Sequence, residues 1–328
     1  MGGGELRITA GWTVAGIIAL ALIVSVGLTL SDMRLASSQT ITLVAKRSEV
    51  EVPLDDPFAR VWNRANPVEA PLSAQNITPP KGGGDRTITA RALHDGERLY
   101  ILMEWDDDSE DLLVSRQAEF SDAAAVQFPV APGENVPAFC MGDPTSPVNI
   151  WQWKAAWQAD MEQGFVDVQD AYPDMQVDLY PFEEEAEFYP ARAVGNVFAQ
   201  DDRTTAVDNL LAGSFGTLTQ APDQVVQGTG VWRDGSWRLV FARDLNVGED
   251  YSQFAEEEST NIAFAVWDGA RGERDGIKSV SQFLTLEVSP DVAEPGGGVT
   301  VWIIVVVVLG AVALTLVLAL YGRQRQNG

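Results

Sequence analysis

The sequence predicts a mostly β protein, one large antiparallel β-sandwich flanked by N- and C-terminal transmembrane helices. Three observations carry this. Uncharged apolar stretches occupy residues 8–31 and 299–322. Between them, short runs alternate apolar and polar residues, the period of a half-buried strand. Gly, Pro and Asp-Gly turns separate these runs, and few segments have helical period.

Each terminal stretch is long enough to span. A helix rises 1.5 Å per residue, so about 20 residues cross a hydrocarbon core about 30 Å thick. Residues 1–31 read as a retained anchor or signal anchor. A signal peptide cleaved near Ala36-Ser37-Ser38 is the alternative. Both give one topology. The tail, residues 323–328, carries Arg323 and Arg325 and belongs on the cytoplasmic side. Residues 32–295 then form an extracytoplasmic domain at the cell membrane. Residues 296–298, Gly-Gly-Gly, are a hinge into the second span at 299–322.

Within 32–295 the strand signals come in order. Thr40-Ile41-Thr42-Leu43-Val44-Ala45 alternates. Residues 86–92 and 98–105 flank His94-Asp95-Gly96-Glu97, a hairpin turn that would leave His94 exposed. Residues 228–232 and 237–243 flank Asp234-Gly235 as a second hairpin. Further strands are expected at 261–267 and 281–288. A short helix is expected around 151–161. Residues 170–191 and 204–227 read as poorly ordered loops. Asn76-Ile77-Thr78 matches a glycosylation sequon, a pattern frequent by chance.

Composition then removes function classes. With 22 Lys+Arg against 47 Asp+Glu, the net charge is −25. Such a chain repels phosphate backbones, so no nucleic-acid partner is expected. The single Cys140 excludes an intrachain disulfide, a cysteine-ligated iron–sulfur cluster and covalent c-type haem attachment. The single His94 excludes bis-histidine haem ligation. No Ser/His or Cys/His arrangement supports a hydrolase, and no P-loop or dinucleotide fingerprint occurs. Only four cations are lysines, Lys46, Lys81, Lys154 and Lys278. An acidic, lysine-poor surface suits a high-salt milieu; GC-rich codon usage gives the same bias.

Three segments invite chemistry. Residues 106–111, Asp-Asp-Asp-Ser-Glu-Asp, offer calcium-type oxygens but lack the EF-hand pattern, and read as a solvated acidic loop. Met141 sits on a Gly/Pro loop, Phe139-Cys140-Met141-Gly142-Asp143-Pro144, before the Trp-rich run Asn149-Ile150-Trp151-Gln152-Trp153-Lys154. It reads either as core filler or as a soft thioether ligand for haem iron. Lys278 ends a Gly-rich loop, either as a surface cation or as a neutral amine on a metal.

Four segments together resemble a known family. They are Phe120-Ser121-Asp122-Ala123-Ala124-Ala125-Val126-Gln127-Phe128-Pro129, Cys140-Met141-Gly142-Asp143, Val148-Asn149-Ile150-Trp151-Gln152-Trp153-Lys154-Ala155 and Arg274-Asp275-Gly276-Ile277-Lys278-Ser279-Val280-Ser281. In this order they resemble the haem-b-binding γ subunits of ethylbenzene dehydrogenase, dimethylsulfide dehydrogenase, selenate reductase and chlorate reductase. The resemblance implies a DOMON-like, haem-binding β-sandwich with one non-covalent haem b. It implies Met141 and Lys278 as axial iron ligands and leaves Lys154 structural. It also implies an electron-transfer subunit, not a catalyst, partnered by an iron–sulfur subunit and a molybdenum subunit of the DMSO reductase type. The two spans depart from the soluble relatives, and suggest exchange with a membrane cytochrome b or a small carrier. The rival reading is a haem-free sandwich whose tryptophans line a site for a carbohydrate or other small ligand.

Overall fold

In a computed structural model the described residues are 41–131, 141–166, 168–176, 189–200 and 202–294. Thirteen strands follow one another: β1 (Thr42–Arg47), β2 (Val68–Ala74), β3 (Arg86–His94), β4 (Arg98–Asp106), β5 (Ala123–Pro129), β6 (Val148–Lys154), β7 (Val207–Ala212), β8 (Thr219–Gln220), β9 (Gln227–Arg233), β10 (Ser236–Asp244), β11 (Ser259–Trp267), β12 (Ser279–Ser281) and β13 (Leu284–Val292). Among the described residues α-helices are few and short: α1 (Ala155–Gln163), α2 (Val168–Ala171) and α3 (Pro190–Ala193).

The strands make two leaves. One runs β8-β7-β6-β5-β11, the other β9-β10-β4-β3. Short strands stitch them along one margin. β11 pairs with β12 and β13 at different points of its length, and β3 with β2 and β1. The stitch closes because β12 pairs with β2 and β1 with β13. The ladders are antiparallel except that β1 runs parallel to β13 and to β3. The expected antiparallel sandwich is therefore present, with one parallel strand inserted.

Aromatic side chains fill the space between the leaves. On β6 and β5, Trp151, Trp153 and Phe128 alternate inward to meet Trp237 and Phe241 of β10. Trp153 and Trp237 lie 5.0 Å apart edge to face, and Phe128 and Trp151 4.7 Å apart. Such pairs add about 0.5–1.5 kcal/mol each beyond area burial. Arg243 is buried among them, its guanidinium 4.9 Å from the Trp151 ring. Desolvation pushes its pKa down to about 9.

Three expectations change. His94 is not an exposed turn residue. It is the last residue of β3 and fully buried, with Nε2 2.8 Å from the Ser289 carbonyl, because β1 and β13 cover that end of the sheet. The expected helix at 151–161 starts later, since Trp151 and Trp153 keep strand period to Lys154 before α1 begins. The stretch 204–227 is not a loop throughout, for it holds β7 and β8 at the edge of the first leaf. Among the described residues no helix is long and apolar enough to cross a membrane. The two expected spans, at 8–31 and 299–322, lie outside the described residues, as do Cys140 and residues 177–188 of the acidic loop.

Candidate functional site

The strands β5, β6, β7 and β11 of the first leaf are mostly buried on both faces, while the edge strand β8 is exposed. Every residue of β5 is buried. Its even positions, Ala124, Val126 and Phe128, join the central core, while Ala123 and Ala125 join a second cluster on the outer face. The outer face forms the floor of a cleft of about 620 Å³. That is within the size range of small-molecule and cofactor sites.

Register sets the floor in rows. Ala265 lies beside Ala125, Ala125 beside Gln152, and Gln152 beside Asp208. The next row is Ala263, Gln127, Ile150 and Leu210. Strands lie about 4.8 Å apart, so the three alanines of β5 and β11 make a low patch two strands wide, bordered by Gln127, Gln152, Ile150 and Leu210.

Met141 and Lys278 both line this cleft. The fold brings together two groups far apart in the chain. Met141 has φ +72°, and Gly142 follows with φ +71°. The other described non-glycine residues with positive φ are Asp234, Glu257 and Asp275. The left-handed region suits aspartate and is unusual for methionine, and strain of this kind concentrates at functional sites. Two contacts hold it. The Met141 N–H donates to Gln127 Oε1 at 3.3 Å. Beyond it, Asp143 accepts from the N–H groups of Thr145 and Ser146 at 2.9 and 3.0 Å. Those bonds, with the Thr145 hydroxyl first, hold the Asp143 pKa below the usual carboxylate range.

Lys278 is positioned through its backbone. Its carbonyl accepts the Gln75 N–H at 3.0 Å. The Gln75 side-chain amide donates to the carbonyls of Thr78, Pro80 and Gly276 at 2.8, 3.2 and 2.9 Å. One glutamine thus ties the 75–84 loop to the Lys278 loop. Lys278 Nζ lies 4.8 Å from the Trp267 ring, and the Trp267 indole N–H donates to the Asp275 carbonyl at 3.1 Å.

Lys154 also reaches the cleft wall. Its ammonium is 2.6 Å from Asp208 Oδ2 and 3.7 Å from the Trp157 ring centre. Burial pulls its pKa down, opposed by the Asp208 charge. The ion pair occupies this lysine, in keeping with a structural role.

The donor set fits a haem. One thioether and one amine line the same cleft, and both are neutral ligands once the amine loses its proton. Sequence reasoning missed Gln127, Gln75, Trp267 and Asp208. Gln127 stands inside a quoted segment and Trp267 ends an expected strand, but their roles need the fold. His94 does not line the cleft.

Residues 59–279 match a family model described as Ethylbenzene dehydrogenase. The chain is 27% identical over 289 residues to a protein of Haloferax mediterranei named for a respiratory nitrate reductase heme subunit, covering 84% of this chain and 87% of that one. It is 27% identical to chlorate reductase subunit gamma of Ideonella dechloratans (69% and 75% covered). It is 28% identical to dimethylsulfide dehydrogenase subunit gamma of Rhodovulum sulfidophilum (65% and 64% covered). Among solved structures, a family 9 carbohydrate-binding module from Caldicellulosiruptor kristjanssonii aligns with TM-score 0.39 at 9% identity, covering 75% of this chain and 94% of that one.

Proposed function

Because the chain belongs to the ethylbenzene dehydrogenase family, we propose that it is the haem-binding electron-transfer subunit of a molybdenum oxidoreductase complex. The proposed cofactor is one non-covalent haem b, with Met141 and Lys278 as its axial ligands. The observation that carries this reading is the meeting of that thioether and that amine in one alanine-floored cleft.

Bound there, haem would supply one-electron redox chemistry, and two protein ligands would leave no iron position open for oxygen. The chain's own residues do the rest. The left-handed turn at Met141 and Gly142 places Met141 in the cleft lining, where its thioether would serve as a ligand. Gln75 and Trp267 hold the Lys278 segment. Lys278 must shed a proton to coordinate, so loading releases one proton. Ala125, Ala263 and Ala265 keep the β5–β11 part of the floor low, with Gln127, Gln152 and Asp208 as its polar positions.

The proposed partners are an iron–sulfur subunit joined to a molybdenum catalytic subunit, and a membrane cytochrome b or small carrier. The net charge of −25 supports docking of a basic carrier, with rates that fall as salt rises. The apolar ends support anchoring at the cell membrane, the main domain outside the cytoplasm and the C-terminus inside.

The test is a reduced-minus-oxidised spectrum of the full chain, purified in detergent after expression with haem supplied. A low-spin b-type spectrum is expected, converted to high spin or lost in Met141→Ala and Lys278→Ala. A folded, colourless wild type overturns the proposal and leaves a sandwich that binds some other small ligand.

A further inference from the structure

We propose that the buried carboxylates of Asp107, Asp122 and Asp268 form a calcium site that joins the two leaves at the root of the segment carrying Lys278. The three come from three strand ends. Asp107 follows β4 of the second leaf, Asp122 precedes β5, and Asp268 follows β11. One oxygen from each lies within 4.8 Å of the others. Two oxygens each about 2.4 Å from one calcium ion are at most about 4.8 Å apart.

Protein donors satisfy most of these carboxylates, but not all. Asp122 Oδ1 accepts the Gly269 N–H at 2.8 Å, and its Oδ2 accepts the Asp111 N–H at 2.8 Å and the Trp237 indole N–H at 3.1 Å. Asp268 faces Arg86 at 3.4 Å and Arg271 at 3.1 Å. Asp107 is only 5% exposed, and its Oδ1 accepts the Ser109 N–H at 3.3 Å. Its Oδ2 is buried without a hydrogen-bond partner among the described residues. A desolvated carboxylate oxygen with no donor, set against two more carboxylates, is costly until a cation completes it.

Charge points the same way. Glu273, 4% exposed, stands 3.7 Å from Arg86 and belongs to the same cluster. When ionised, the three clustered aspartates and the neighbouring Glu273 outnumber Arg86 and Arg271 by two charges, a difference one divalent ion cancels. An all-oxygen donor set selects a hard cation, and calcium tolerates irregular geometry that magnesium does not.

The ion would brace the loop beyond it. Asp268 caps the turn Gly269–Arg271 through the Arg271 N–H, and its carbonyl accepts the Glu273 N–H at 3.1 Å. The same strand of chain continues to Lys278.

The experiment uses the full chain stripped with EGTA, at fixed high ionic strength to screen surface acids. Calcium addition is expected to raise the melting temperature and to bind one ion per chain by calorimetry. Asp107→Asn should weaken that binding at least tenfold, yet fold in EGTA at least as stably as the wild type. Asp106→Asn, at the exposed neighbouring position, should bind as the wild type does. Identical wild-type melting in EGTA and in calcium overturns the proposal. So does an equal calcium response in Asp107→Asn and wild type, which would mark surface acids as the source. Neither readout depends on haem.

Discussion

Gly83 offers a way to move Lys278 without touching its side chain. A Cβ at Gly83 would fall 2.0 Å from the Lys278 carbonyl oxygen, 2.3 Å from its carbon and 2.8 Å from the Ser279 nitrogen. Ordinary contact begins at 3.4 Å, so the two backbones must part by 3.4 − 2.0 = 1.4 Å in Gly83→Ala. Gly83 also has φ +103°, a conformation alanine adopts at a cost of about 1–2 kcal/mol. For a domain of this size that is a melting-temperature loss of about 2–8 °C. The ligand is far more sensitive than the fold. Metal–ligand bonds hold within about 0.2 Å, and a site about 1 Å loose fails. Gly83→Ala should therefore fold yet show the spectrum of Lys278→Ala. Gly216→Ala is the control, with φ +75°, a place on the cleft rim and nothing within 4 Å of the new Cβ. It also places alanine at positive φ, without the clash, and should keep the wild-type spectrum. A fully loaded, low-spin Gly83→Ala protein would refute both the ligand assignment and the backbone route to it.

The other lysine of the cleft should behave differently. Lys154→Met leaves Asp208 buried and unpaired, an expected loss of about 3–5 kcal/mol in denaturant unfolding, largely restored by adding Asp208→Leu, while the loaded double variant keeps its low-spin spectrum. A pH series on Asp107→Asn tests the buried acids without calcium. Burial, then the Asp268 charge, pushes the Asp107 carboxyl up to about 6. The native state thus holds its proton more tightly than the unfolded chain, and stability is lost as pH rises from about 4 to about 6. In EGTA the gain of Asp107→Asn over wild type should reach about 3 kcal/mol above pH 6 and fade towards pH 4. A gain that grows on acidification would contradict the burial of an ionised Asp107.

What could be read from the sequence was whatever local chemistry decides. Asp95-Gly96 and Asp234-Gly235 fix the β3–β4 and β9–β10 hairpins, because a tight turn needs positive φ and those glycines have it, at +97° and +82°. β7 failed the alternation test because its polar residues are paired inside. Asn209 is fully buried and bonds Asn149 at 2.7 Å, and Asp208 bonds Lys154. β2 escaped notice because Pro71 stands within it. His94 looked exposed because its own turn is exposed, and β1 and β13, remote in the chain, cover it. Met141 and Lys278 could be named by resemblance, but their shared cleft is a product of register. The same holds for Asp107, whose acidic neighbours mark a surface loop while its partners, Asp122 and Asp268, come from other strands.

The distribution of side-chain size within the first leaf argues for a flat occupant. On its strands β5 and β11 the inner face carries Val126, Phe128, Ile262 and Phe264, while the outer face carries Ala123, Ala125, Ala263 and Ala265 beside Gln127 and Trp267; β6 and β7 add Ile150, Gln152 and Leu210 to the outer face. Alanine is depleted in strands, so β propensity does not account for the outer set. Nor does solvent, which would favour polar residues on an uncovered face. Packing against a covering element would favour large residues, as on the inner face. The alanines of β5 and β11 leave room for a rigid planar group laid over those strands, and the leaf's own strength comes from the aromatic face behind it. Replacing Ala125 with leucine would raise the floor and leave that aromatic face intact. The floor also explains the location. A redox group on the outer face lies close to surface that a partner can cover, whereas the sandwich interior is already filled by tryptophan.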